Sequence, residues 1–198
     1  FGKDGYLFIE NAFDEESKSR RLIARDASKP TEQFGLADAV IADIENDGDL
    51  DVVVLTEAGV AIWQNQENWD FVDNTALAIA NPDVVAGAAA LGVADTDRNL
   101  QLDILVGGHV LQNIRHGRFF ARESDDTAFV GVSATSITTA DIDSSGTWDA
   151  IISSASGVTA TLTKTRVGEK SWTLESTSLT SEPSLGGFTI DFDNDGHL

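Results

Sequence analysis

An acidic loop on a nine-residue template, its fourth copy eight residues long, recurs along this 198-residue chain, and no other feature restricts its fold as severely. The copies are Asp43-Ile-Glu-Asn-Asp-Gly-Asp-Leu-Asp51, Asp95-Thr-Asp-Arg-Asn-Leu-Gln-Leu-Asp103, Asp141-Ile-Asp-Ser-Ser-Gly-Thr-Trp-Asp149 and Asp191-Phe-Asp-Asn-Asp-Gly-His-Leu198. Their first aspartates are 52, 46 and 50 residues apart. A period near fifty residues belongs to radial arrays of β-blades rather than to helical solenoids.

Carboxylates at alternate positions of a tight loop point into one small space, and a glycine at the sixth position permits the sharp turn. Calcium takes six to eight oxygens at about 2.3–2.6 Å. Loop one offers Asp43, Glu45, Asp47, the carbonyl of Asp49, and Asp51; loop two offers Asp95, Asp97, Asn99 and Asp103, with Leu100 where glycine is wanted. Loop three offers Asp141, Asp143, Ser145 and Asp149 around Gly146; loop four offers Asp191, Asp193 and Asp195 around Gly196. The expectation is one Ca2+ per loop, up to four, with loop one binding more tightly than loop two. Single Asp-Gly turns arise in many hairpins for conformational reasons, so the weight rests on four copies in phase.

A helical calcium-sensor hand is disfavoured. The bidentate glutamate needed at the twelfth loop position is replaced by Val54, Val106 and Ile152, and the flanks read as strands. Fourteen of the 33 acidic residues lie inside the loops, within a formal net charge of −20. That charge argues against nucleic acid and against an anionic membrane surface, both of which require Lys and Arg. No cysteine is present, so neither a disulfide framework nor a thiolate site is available. No apolar run approaches membrane-spanning length. Calcium is plentiful outside the cytosol, which points to a secreted, periplasmic or cell-surface protein.

The segments around loop one define the repeat. Short apolar Ala37–Ala42 precedes the loop, and β-branched Asp51–Thr56 follows with the character of a strand buried on both faces. Val60–Asn65 alternates after a Gly59 turn, and Trp69–Asp73 is wetter. Further blades are expected from Ala88–Val93, Ile104–Gly107, Val110–Ile114 and Arg118–Glu123, and from Ala134–Thr139, Ala150–Ser153, Thr159–Lys164 and Ser171–Ser176. A last blade opens at Gly187–Ile190. The predicted fold is all-β: four-stranded antiparallel blades of a β-propeller, with helices scarce. Residues 1–30 end one blade, 31–80, 81–128 and 129–180 form three, and 181–198 begin another. Because Lys3–Asn11 aligns with Glu57–Asn65, the chain could be a window on a larger, about seven-bladed propeller or a four-bladed ring; the window is favoured.

The unit running through Asp43–Val54 and on through Val60–Ala80 resembles the FG-GAP/VCBS repeat, the calcium-binding blade of integrin-α-like propellers and of bacterial proteins that also carry an ASPIC/UnbV domain. The resemblance covers essentially the whole chain, strongest in repeats one and four. It implies calcium ligation at Asp43, Glu45, Asp47 and Asp51 and at their counterparts, with Glu45 in place of the usual Asp or Asn. It implies no particular ligand.

Catalytic signals are scarce. His109, His116 and His197 lack metal-ligand or triad partners at telling spacings, and Gly107-Gly108 and Gly186-Gly187 read as turns. The loop carboxylates suit chelation better than a glycosidase pair, so the chain is expected not to be an enzyme. Lys18, Arg20, Arg21, Arg25 and Lys29 read as a solvated outer strand rather than an anion site. Trp63, Trp69, Trp148 and Trp172 read as inter-blade packing rather than sugar platforms. The expected function is a calcium-stabilised, extracytoplasmic scaffold or interaction module with a protein or glycan ligand, as in cell adhesion. The alternatives are an accessory propeller of a larger secreted enzyme or multi-subunit complex, and a glycan-binding lectin.

Overall fold

The computed structural model describes residues 7–14, 19–26, 36–66, 71–80, 85, 87–121, 133–165, 172–191 and 193; over 7–36 and 162–176 it describes the backbone alone. Three sheets share one plan. In the first, β3 (Leu36–Ala42), β4 (Asp51–Thr56), β5 (Gly59–Asn65) and β6 (Phe71–Asp73) pair antiparallel in chain order. β7 (Leu91–Ala94), β8 (Asp103–Val106), β9 (His109–Arg115) and β10 (Arg118–Ala121) form the second. The third comprises β11 (Ala134–Ala140), β12 (Asp149–Ser154), β13 (Gly157–Thr165) and β14 (Trp172–Thr180). Ahead of them, β1 (Leu7–Asp14) pairs with β2 (Ser19–Asp26). This is the all-β, four-stranded blade architecture the loop period predicts. Arg20, Arg21 and Arg25 fall on β2, whereas Lys18 and Lys29 lie outside the described residues.

The second strands of the first two blades, β4 and β8, are buried along their whole length. In β4, Val53 and Leu55 face a cluster shared with the next blade, where Ile104, Val106, Leu111 and Phe119 meet them. Val52 and Val54 point the other way and pack with Trp63 and Phe71. Strand β8 divides its side chains likewise: Ile104 and Val106 face back, while Leu105 joins Ala150 and Ile152 of the third blade. In β8 the period of two thus sorts one apolar run into two interfaces. Trp63, 9% exposed, packs with side chains of its own blade, where inter-blade packing was expected, and Trp148 is 41% exposed. Trp69 lies outside the described residues, as does the side chain of Trp172.

First strands of successive blades stand side by side, β3 by β7 and β7 by β11. Side chains bridge them: Leu91 N donates to Asp38 Oδ2 at 3.0 Å, and Thr139 Oγ1 donates to the Val93 carbonyl at 2.7 Å. Gly92 is needed here, since a Cβ on it would lie 2.9 Å from Ile137 Cγ2.

Several details differ from the sequence expectation. The first strand of the second blade begins at Leu91 rather than Ala88, because Ala88 N closes a turn onto the Val85 carbonyl (3.2 Å) through Gly87 at φ 79. A single helical turn, α1 (Thr75–Ala78), follows β6. The Asn74 carbonyl accepts from Leu77 N and Ala78 N, and Ile79 then bridges to Phe119 of the next blade. Gly187–Ile190 forms no strand among the described residues. It lies along the third blade through Thr138 Oγ1, which donates to the Gly187 carbonyl at 2.7 Å.

Gly92→Ala should lower stability by about 1–3 kcal/mol through overpacking, read by urea unfolding. Ile137→Ala in the same chain should cost less than the sum of the single changes. Strict additivity would mean that the two residues do not meet.

Candidate metal centre

Each loop joins the first strand of a blade to the second, and three loops fold on a common hydrogen-bond scheme. The first aspartate accepts the backbone N–H groups of positions five and six. Asp43 takes Asp47 N and Gly48 N at 3.2 and 3.0 Å, Asp95 takes Asn99 N and Leu100 N at 3.1 and 2.9 Å, and Asp141 takes Ser145 N and Gly146 N at 2.9 and 2.8 Å. The last aspartate reaches back to position two, with Ile44 N on Asp51 at 3.0 Å, Thr96 N on Asp103 at 3.1 Å and Ile142 N on Asp149 at 2.8 Å. Asp51 and Asp103 also accept from the third strand, through Asn65 N at 3.0 Å and Asn113 N at 2.8 Å. All three last aspartates are buried.

The scheme demands left-handed backbone at two positions. Position four adopts φ 58, 60 and 55 at Asn46, Arg98 and Ser144, and position six adopts φ 100, 65 and 77 at Gly48, Leu100 and Gly146. Leu100 therefore does not break the loop; it accepts a conformation that costs a non-glycine residue about 1–2 kcal/mol, and its side chain is 80% exposed.

The middle ligand positions differ between loops. Asp47 Oδ1 accepts Asp49 N at 3.1 Å, Asn99 Oδ1 accepts Gln101 N at 2.7 Å, and Ser145 Oγ accepts Thr147 N at 3.3 Å. At position three, Glu45 accepts from Gln64 Nε2 and Asp97 from Gln112 Nε2, both third-strand side chains. In loop three a carboxylate oxygen from each of Asp141, Asp143 and Asp149 lies within 4.8 Å of the other two. Oxygens on opposite sides of a calcium ion lie about 4.6–5.2 Å apart, so this trio has the dimensions and the all-oxygen chemistry of a calcium site. Of loop four, Asp191 is half-buried and Asp193 exposed, while Asp195 lies outside the described residues.

Crowded carboxylates have raised proton affinity. Burial first, then the charges of Asp51 and Asp47, lift Glu45 from 4.5 to about 7. Burial lifts Asp103 to about 6 against the opposing hydrogen bonds from Thr96 and Asn113, and it raises Asp51 as well. Val54, Val106 and Ile152, where a sensor hand needs glutamate, are core side chains in β4, β8 and β12. His116 is exposed in a turn, His109 half-buried at the start of β9, and His197 outside the described residues.

Residues beyond the expected ligands tie the loops together. Asn46 Nδ2 donates to the Leu100 carbonyl at 2.7 Å and Arg98 Nη2 to the Ser145 carbonyl at 3.2 Å, so position four of one loop holds the middle of the next. Asn113 Nδ2 reaches the Ile44 carbonyl of the preceding blade at 2.8 Å. The repeated Gln64-Asn65 and Gln112-Asn113 pairs were the visible signal for the third-strand partners; nothing in the sequence marked Asn46 or Arg98.

Residues 43–106, from loop one through β8, match the FG-GAP-like repeat. No curated protein matches the chain. Among solved structures, a lectin from Agrocybe aegerita, described as recognising non-reducing terminal N-acetylglucosamine, is similar in fold with a TM-score of 0.57 at 16% identity. The match covers 91% of this chain and 53% of the lectin, so the chain spans about half the lectin's length.

Two outcomes follow from the loop geometry. Leu100→Gly should raise stability by about 1 kcal/mol and Gly48→Ala, with open space around the new Cβ, should lower it similarly; a destabilised Leu100→Gly would contradict the strain at that position. For pH, folded Glu45 holds more proton than the unfolded chain between about 4.5 and 7. Stability of the chelator-treated protein should therefore fall as pH rises through that window. Melting curves at pH 4.5, 5.5 and 7 check this, and a rising trend would refute it.

Proposed function

We propose that this FG-GAP-like repeat protein is a calcium-stabilised β-propeller module that works outside the cytosol as a binding scaffold. The convergence of Asp141, Asp143 and Asp149 carries the reading, on a loop template that two other described loops share. Calcium would be held by Asp141, Asp143, Ser145 and Asp149 in loop three. In loop one the ligands are Asp43, Glu45, Asp47, the Asp49 carbonyl and Asp51, and in loop two Asp95, Asp97, Asn99 and Asp103; Asp191, Asp193 and Asp195 serve loop four. A bound cation supplies positive charge where the fold otherwise forces carboxylates together, so the loop that joins the first two strands stays closed.

Several observations support a binding role over catalysis. In the three described loops polar side chains are engaged by backbone N–H groups, by carbonyls of the next loop and by third-strand glutamines, an arrangement that builds a rigid rim. His109 and His116 belong to β9 and the turn after it rather than to the acidic loops. A protein or glycan would engage loops on one face of the array, where rigid blades present variable connections. Among the described residues no helix is long and apolar enough to cross a membrane.

Calcium should raise the melting temperature of chelated protein by about 5–10 °C. One site saturated at a hundred times its Kd adds about 2.7 kcal/mol, and each kcal/mol moves Tm by about 2–4 °C in a chain of this size. Asp141→Asn should remove part of that gain. An identical Tm with and without calcium would sink the reading, and a glycan array probed with the calcium-loaded chain separates glycan from protein ligands.

A further inference from the structure

The residue that the backbone register sets across from the last aspartate differs among the three described loops. Pairing of Val52 with Trp63 places Gln64 opposite Asp51, and pairing of Ile104 with Leu111 places Gln112 opposite Asp103. In the third blade Ala150 pairs with Thr161, which places Leu162 opposite Asp149. Both glutamines donate to the position-three carboxylate of their own loop, Gln64 to Glu45 Oε2 and Gln112 to Asp97 Oδ2. Leucine has no donor. Among the described loops, the one that carries it is the one whose position-one, position-three and position-nine oxygens gather within 4.8 Å.

We infer that this third-strand position sets the divalent-cation affinity of each loop. Gln64 and Gln112 compete with the cation for the position-three carboxylate, and a leucine at position 162 has no side-chain donor with which to compete. Loop three is then the tightest of the three described sites. This rests on the calcium reading above, which itself requires no ranking of the loops.

The chemistry supports competition. A hydrogen bond from an amide to a carboxylate is of the strong, charge-assisted kind, and the oxygen it occupies must be released or shared before it can ligate. In the first blade the amide is locked in the donating sense, because Asn74 Nδ2 donates to Gln64 Oε1 at 2.5 Å and leaves Nε2 facing Glu45. In the second, Asp97 Oδ2 takes Asn99 Nδ2 as well, at 3.2 Å, while its Oδ1 accepts Asn99 N at 3.2 Å. Asp143 Oδ1 accepts the equivalent backbone donor, Ser145 N, at 3.1 Å. The glutamine is thus the difference that separates loop two from loop three at this carboxylate, together with the exchange of Asn99 for Ser145. The opposite effect, glutamine orienting the carboxylate toward the ion, is the general alternative for outer partners of ligands, and it predicts the opposite sign.

The test is calorimetric titration of the full chain with calcium alone. Loop one is isolated by Asp95→Asn, Asp141→Asn and Asp191→Asn, and the other loops by corresponding sets. Gln64→Leu should tighten loop one, and Gln112→Leu should tighten loop two, each by about tenfold, while Leu162→Gln should weaken loop three by about tenfold. Gln64 also supports Asn74, so the Gln112 variant stands if the Gln64 variant misfolds. Either glutamine variant binding equally or more weakly overturns the inference, as does a Leu162→Gln chain as tight as the parent. Failure of the unsubstituted chain to take up calcium at all would instead bring down the calcium reading, and this inference with it.

Discussion

The carboxylate that ends each loop is the interaction on which the rest depends. Asp51, Asp103 and Asp149 are buried, and each fastens the start of its own loop through the N–H of Ile44, Thr96 or Ile142. Asp51 and Asp103 extend the tie to the third strand through Asn65 and Asn113. One side chain thereby joins the loop, the second strand and the third. Burying a carboxylate is unfavourable unless it is well bonded, and the raised proton affinity of Asp51 and Asp103 shows that the bonds offset this only in part. A cation in the loop would supply the remainder.

Stacking of the blades rests on contacts of two kinds. Strand β8 alternates its side chains between the first and third blades, while β4 turns Val53 and Leu55 to the second blade and Val52 and Val54 to Trp63 and Phe71 of its own. At the rim the loops continue the contact in polar form, with Asn46 reaching loop two and Arg98 reaching loop three. Neighbouring blades are therefore joined twice, by dispersion and burial in the middle and by hydrogen bonds at the loop end. A disturbance in one loop has a direct mechanical route to the next, because position four of one backbone turn grips positions five and six of its neighbour.

Much of this was legible in the chain itself. The β-branched, apolar run in Asp51–Thr56 predicted a strand buried on both faces, and all six residues are buried. Leu100 was read as a flaw in loop two, but its backbone takes the same left-handed turn as Gly48 and Gly146. Sequence pattern scores residue type, whereas the fold imposes the turn and tolerates the strain. The helical turn at Thr75–Ala78 was invisible because one turn has no periodicity to detect. The strand expected at Gly187–Ile190 had the right composition, but composition cannot supply the pairing that a strand requires.

The sequence by itself determined the repeat, the strand-loop-strand order of each blade and the concentration of oxygen donors in four loops. Those properties follow from local chemistry: side-chain spacing, turn residues and apolar alternation. Only the tertiary structure decided which carboxylates converge. Gln64 lies thirteen residues after Asp51 and Gln112 nine residues after Asp103, so no fixed spacing links them. The antiparallel ladder makes them equivalent and sets Leu162 in the same place, and it does so because pairing register is a property of two strands together.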